Sequence, residues 1–164
     1  VITLSSKRVG PLPPQVKDVG VIVDLAIHDI DVMTFLLDEK VKEVYAKAGS
    51  VRNPSNFEDF AVIVLNFGSV IGVIETNWLT PHKVRSLTVV GAKGIAELDY
   101  INQELTLYDD KWVKKAKIQK REPLKNELEH FIECVKGNTQ PIVSGEDGLY
   151  ALQIAFKALL SAIS

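Results

Sequence analysis

The sequence predicts an α+β domain, an open and mainly antiparallel sheet with helices packed on one face. A strand-like start, an apolar helical run over residues 21–37, and a series of about six strand patterns followed by two helical patterns point to it. Strands joined by short turns pair antiparallel, because a parallel pairing needs a long crossover. Strands and helices that are grouped rather than alternating are typical of this class, and 164 residues are enough for one domain.

The first strand pattern is VITLSSKRV, and the prolines of GPLPPQ then remove backbone donors and end regular structure. Helical spacing extends from about Val21 to Leu37. Along it, Asp24, His28 and Asp31 recur at i, i+4 and i+7, which places them on one stripe of a helix.

The middle of the chain has the texture of a strand meander. VKEVYAKAGSV predicts a strand and NPSN a turn, and hairpin turns are expected at 68–69, 93–94 and 109–110. ETNWLTPHKVR contains a loop around Pro81 and His82. The central strands are apolar on both faces, so we expect something to cover each face of the sheet.

Two helices are predicted to close the chain. PLKNELEHFIECVKG has Pro123 near its start and Gly137 just after its end, which is the usual punctuation of a helix. EDGLYALQIAFKALLSAI is amphipathic, and its large side chains lie close to one stripe, namely Leu149, Leu152, Phe156 and Leu159.

Composition limits the function classes. The chain is 46% hydrophobic and 24% charged with a net charge of −2, which gives no general reason to bind nucleic acid or an anionic membrane. The cations of KWVKKAKIQKR are expected on a solvated face. The single cysteine, Cys134, excludes an intramolecular disulfide, fits a reducing compartment such as the cytoplasm, and is expected to be a buried thiol. We find no signal peptide or membrane span, and the strand-like start without methionine suggests an excised portion of a longer protein.

Several common sites are absent from the sequence. There is no Gly-x-Gly-x-x-Gly or Walker loop, so no nucleotide site is recognisable, and no Cys/His spacing suggests zinc. The His28-Asp29 dipeptide is like that of metal-dependent phosphohydrolases. Those sites need further histidines, and this chain offers only His82 and His130. We therefore predict no metal site.

The apolar run GVIVDLAIHDIDVMTFLL is the main candidate for chemistry. Asp24 and His28 lie one helical turn apart, and a histidine can take a proton from a substrate hydroxyl while an aspartate orients the ring or binds a hydroxyl. On spacing alone, a polar stripe that faces water, with the histidine satisfied by its i−4 carboxylate, is the simpler interpretation.

Secondary candidates lie near the ends of predicted strands. Asn77, Trp78 and His82 could line a sugar pocket, although sheet packing for the tryptophan and a solvated loop for the histidine explain them equally well. Arg8, beside Lys7 before the proline-rich loop, could meet an anionic group such as a phosphate or could be an edge-strand charge.

Together, DVGVIVDLAIHDIDVMTFLL, VIGVIETNW and the two closing helices resemble the C-terminal domain of the GFO/IDH/MocA (glucose–fructose oxidoreductase / inositol dehydrogenase) family. The resemblance spans essentially residues 1–164. It implies that His28 is the general base, that Asp24 is the acidic partner that holds the substrate and supports the histidine, and that Asp31 is structural.

The resemblance also implies what this chain lacks. In the family, NAD or NADP binds a preceding Rossmann domain, which brings a lysine in a Glu-Lys-Pro segment, and neither feature is present here. We therefore expect the chain alone to be inactive. The implied substrate is a sugar, polyol or nucleotide sugar, as in UDP-N-acetylglucosamine 3-dehydrogenases, with Arg8 near its entrance. The implied assembly is a homodimer or tetramer through the sheet. A non-catalytic dimerisation or ligand-binding module of the same fold is the alternative.

Overall fold

The computed structural model describes residues 1–14, 18–52 and 57–163. The elements in chain order are β1 (Thr3–Pro11), a π-helical segment (Ile22–Ala26), α1 (Ile27–Leu37), β2 (Glu43–Gly49), β3 (Phe60–Asn66), β4 (Ile71–Asn77), β5 (Leu79–Gly91), β6 (Gly94–Asp99), β7 (Glu104–Tyr108), β8 (Val113–Lys115), α2 (Pro123–Gly137) and α3 (Gly145–Ile163). The predicted α+β class is confirmed. The predicted NPSN turn lies outside the described residues.

The described strands form one sheet in the order β2-β3-β4-β1-β5-β6-β7-β8. β1 lies in the middle of this sheet, where it pairs parallel with β4 and antiparallel with β5. All the other pairings are antiparallel. The interpretation of Arg8 as an edge-strand charge is therefore wrong, because a strand inserted at the centre has a neighbour on both sides.

The short turns bring consecutive strands together as expected. The β3–β4 hairpin turns at Gly68, whose φ of +105° is strained for any residue with a Cβ. The loop predicted around Pro81 and His82 is wrong, since both residues belong to β5. Pro81 is accommodated because the pairing of β5 with β1 is irregular between Val84 and Leu79, where a missing N–H costs no ladder bond.

The predicted helix over residues 21–37 is present, but its first part is a π-helical segment. The backbone N–H of Ile27 donates to the carbonyl of Ile22, five residues earlier. Glu58 holds the entry to this segment, because its backbone carbonyl accepts from Val21 N–H at 2.9 Å and its Oε1 accepts from Ile22 N–H at 3.1 Å. Such π turns are frequent at functional sites.

One face of the sheet is covered by α1 and α3, which also pack against each other. The buried side of α3 consists of small residues and one isoleucine, namely Ala151, Ile154, Ala155 and Ala158. This differs from the stripe of large residues seen in the sequence, of which Leu149 and Phe156 are exposed. The alanines allow the helix to approach the sheet closely.

The opposite face of the sheet carries exposed apolar side chains, including Tyr45 and Val62. Cys134 is buried, as predicted, and it is the buried residue of α2. Among the residues that the structure describes, no helix is long and apolar enough to cross a membrane.

Candidate functional site

A cleft of about 240 Å³ lies between the carboxyl end of β1, the π-helical segment and the first half of β5. Six of its lining residues carry polar or aromatic side chains, namely Arg8, Asp24, His28, Trp78, Lys83 and Arg85. Four of them were candidates from the sequence, and they come from three separate stretches of the chain. The cleft is therefore where the fold gathers the candidate chemistry.

Asp24 and His28 line the same cleft, as their spacing suggested. Asp24 belongs to the π-helical segment and His28 to the first turn of α1. No hydrogen bond or ion pair joins them or engages either side chain within the described part of the chain. The simpler interpretation is right in one part and wrong in another: His28 is exposed to water, but it is not hydrogen-bonded to its i−4 carboxylate. Both side chains keep their hydrogen-bonding capacity for a ligand.

The pKa of His28 is held below its ordinary value of 6.5. His28 is exposed to solvent in this chain, and desolvation by the surrounding protein atoms is nevertheless the largest cause of its lowered pKa. The positive charge of Arg8 is the next cause, and Asp29 and Asp24 oppose it. His28 is consequently neutral at neutral pH, which is the form that accepts a proton.

Arg8 reaches the cleft from the central strand but is already bound to a carboxylate. Its Nε donates to Asp29 Oδ2 at 2.6 Å and its Nη2 to Oδ1 at 3.2 Å. The side chains are only 9% and 2% exposed, and the ring of Tyr100 lies 5.7 Å from the guanidinium carbon. Such a bidentate pair is a rigid geometric link. It joins β1 to the residue that follows His28, and so fixes the histidine relative to the sheet.

Lys83 and Arg85 also line the cleft, and sequence reasoning missed both. They lie two residues apart on β5, so their side chains point to the same face of the sheet. The alternation KVR was the available signal. Because Pro81 suggested a loop there, the strand period was not extended back to Lys83.

The other candidates lie elsewhere. Asn77 Oδ1 accepts from the backbone N–H of Leu79 at 3.0 Å, so Asn77 shapes the β4–β5 turn. His82 is exposed and alternates away from the face that carries Lys83 and Arg85. Neither residue is in the lining of the cleft. Asp31 lines a different groove, beside α3, where burial and then the carboxylate of Asp147 raise its pKa.

Trp78 lies at the boundary between the cleft and the core. It lines the cleft, and its side chain is almost fully buried in the core. Its indole Nε1 has no hydrogen-bond partner within the described residues. A buried donor without an acceptor is uncommon.

Residues 1–14, 18–52 and 57–163 contain no group of three or more histidine, cysteine, aspartate or glutamate side chains placed to hold a metal ion. The two-metal hydrolysis considered from the His28-Asp29 dipeptide thus lacks a ligand set in this part of the chain. Asp29 is instead committed to Arg8.

Comparison with known proteins gives a consistent set of relatives. The chain is 30% identical to myo-inositol 2-dehydrogenase of Thermotoga maritima over 96% of its length, and 25% identical to UDP-N-acetylglucosamine 3-dehydrogenase of Acidithiobacillus ferrooxidans over 94%. The match covers 52% of either relative, so the chain spans about half the length of these proteins.

Solved structures show the same fold. The structure of the Acidithiobacillus ferrooxidans enzyme superposes with a TM-score of 0.90 at 21% identity, and covers 98% of this chain and 53% of its own. The WlbA dehydrogenase of Bordetella pertussis, solved with NADH and UDP-GlcNAcA, superposes with a TM-score of 0.78 at 21% identity over 98% of this chain and 53% of that one. Residues 12–97 match the GFO/IDH/MocA C-terminal domain, and the chain belongs to this family of oxidoreductase domains.

Proposed function

We propose that this chain is the substrate-binding half of an NAD(P)-dependent oxidoreductase that oxidises a secondary hydroxyl of a sugar, nucleotide sugar or polyol. The observation that carries the proposal is the convergence of Asp24 and His28, neither of them hydrogen-bonded within the described chain, in one cleft. The names of the relatives support the substrate class, since they act on an inositol and on a nucleotide sugar.

His28 acts as the general base in this proposal. Its neutral imidazole accepts the proton of the reacting hydroxyl through a ring nitrogen, as the carbon–hydrogen bond of the same carbon breaks. Asp24 accepts a hydrogen bond from a hydroxyl of the substrate and stabilises the imidazolium that forms. The Arg8–Asp29 pair is a positioning element, because it touches the helix beside the base and not the reacting atoms.

The nicotinamide cofactor is held mainly outside this chain. The single parallel pairing in the described sheet, β1 with β4, does not form a dinucleotide-binding βαβαβ unit. A separate Rossmann domain would bind the cofactor, which accepts the hydride. We accordingly expect this chain alone to show no turnover, and we place the whole protein in the cytoplasm.

A second candidate function rests on the uncovered face of the sheet. Tyr45 and Val62 are 59% and 47% exposed on neighbouring strands, which favours packing against another subunit. A homodimer or tetramer through this face is compatible with catalysis. It is also what a non-catalytic dimerisation module would need, and activity measurements separate the two.

The test is NAD(P) reduction by the polypeptide that joins this chain to its nucleotide-binding domain, across inositols, free sugars and nucleotide sugars. Loss of the base lowers kcat by about 10²–10⁴-fold in His28→Ala, and Asp24→Asn lowers kcat/KM. His82→Ala is the matched control, since His82 lies outside the cleft. Unchanged activity in both cleft variants favours the non-catalytic module, as does an upstream sequence without a Rossmann fingerprint.

A further inference from the structure

The cleft carries more positive than negative charge. Three cations line it, namely Arg8, Lys83 and Arg85, against one carboxylate, Asp24. Asp29, which is not one of the lining residues, neutralises Arg8 through their ion pair. This excess is local, because the chain as a whole has a net charge of −2.

Arg85 stands directly opposite a like charge. Its Cα pairs with that of Arg8 across the β1–β5 ladder, a register in which two cations on one face repel each other. Arg85 is half-buried, and within the described chain it has no carboxylate within ion-pair distance and no hydrogen bond. The burial of Arg85 and the charge of Arg8 both lower the pKa of Arg85, so the site without a bound anion destabilises the charged guanidinium.

Lys83 lies two residues before Arg85 on β5, so its side chain is on the same face of the sheet. A Cβ added to Gly10 would lie 3.1 Å from Lys83 Cγ, so the lysine stem lies across β1 where that strand has no side chain. No carboxylate pairs with Lys83 among residues that the structure describes. The two free cations therefore share one wall of the cleft that contains Asp24 and His28.

We propose that Lys83 and Arg85 form an anion subsite that binds a phosphate or carboxylate group of the substrate. A planar guanidinium binds either anion through two parallel hydrogen bonds, and an ammonium adds a point charge. Arg8 is not part of the subsite, because Asp29 already occupies its fork. Asp24 and His28 leave room for a hydroxyl of the same molecule. That the molecule carrying the anion is also the substrate that is oxidised rests on the proposed function. The binding of the anion to Lys83 and Arg85 does not depend on it.

The test is an NMR titration of the chain with three sugars, followed at the backbone amides of Gly10 and Arg85. N-acetylglucosamine 1-phosphate carries a phosphate, glucuronic acid carries a carboxylate, and N-acetylglucosamine is neutral. We expect at least one anionic sugar to bind about tenfold or more tightly than the neutral one, and its affinity to fall as salt rises. Tighter binding of the phosphate or of the carboxylate sugar identifies which anion the subsite takes.

The variants Lys83→Met and Arg85→Met keep the apolar stem and remove the charge. Each should weaken the anionic sugar about tenfold and leave the neutral sugar unaffected. Lys93→Met, in the turn at the far end of β5, is the charge-matched control and should change nothing. The proposal is overturned if anionic and neutral sugars bind equally, or if the control weakens binding as much as the cleft variants. Because no turnover is measured, the result is independent of whether the oxidation itself is found.

Discussion

The buried ion pair between Arg8 and Asp29 gives the most quantitative prediction. The side chains are 9% and 2% exposed, and two hydrogen bonds of 2.6 and 3.2 Å join them. Arg8→Met or Asp29→Leu alone leaves the partner's charge buried and unpaired, which should lower the free energy of unfolding by about 3–5 kcal/mol. That is a large share of the roughly 5–15 kcal/mol that stabilises a typical domain.

The double variant separates the pair from its surroundings. With both charges replaced by apolar side chains of similar volume, stability should return to near that of the unaltered chain or exceed it. Urea unfolding followed by circular dichroism measures all the variants. The control is Lys7→Met on the same strand, whose ion pair with Glu75 is 45% exposed on both sides and is worth at most about 1 kcal/mol. The reasoning is refuted if Arg8→Met and Asp29→Leu are no less stable than this control, or if the double variant is as unstable as the sum of the two single variants.

Three further predictions follow from single contacts. The pKa of His28 is lower in the folded chain than its ordinary value of 6.5, so its contribution to stability is present above pH 6.5 and is lost as pH falls through the lowered pKa. The unaltered chain should therefore lose stability on acidification faster than His28→Gln. Urea unfolding at several pH values measures this, and parallel curves of stability against pH for the two proteins contradict it. Glu58→Ala removes the acceptor of Ile22 N–H and should cost about 0.5–2 kcal/mol in the same assay, and no loss would show that the helix entry needs no cap. Gly72→Ala places a Cβ 2.8 Å from the sulfur of Met33 in α1 and should lower the free energy of unfolding by about 1 kcal/mol or more. Gly145→Ala is the control, because its Cβ meets nothing within 4 Å. Equal thermal midpoints for the two variants contradict the close packing.

Local patterns were sufficient wherever local chemistry decides the structure. Pro123 is the first residue of α2, as predicted, whereas Gly137 is the last residue of the helix and Asn138 takes the left-handed cap after it. The hairpin at Gly68 follows from a backbone conformation that suits glycine. The spacing of Asp24 and His28 predicted a shared face, and both line one cleft.

The missed features depend on contacts between distant parts of the chain. The insertion of β1 between β4 and β5 leaves no trace in the spacing of residues along the strands. Arg8 and Asp29 are 21 residues apart and meet only because β1 lies beneath α1. Pro81 interrupts the strand pattern at a point where the pairing of β5 with β1 is irregular, and this concealed Lys83.

The central claim is that neutral His28 accepts the proton of the reacting hydroxyl, and the pH dependence of kcat/KM tests it most directly. In the two-domain polypeptide, we predict that kcat/KM falls on the acid side with an apparent pKa below 6.5, and that this acid limb is absent from the residual activity of His28→Ala. An acid limb that persists unchanged in His28→Ala would assign the proton transfer to another group and contradict the account.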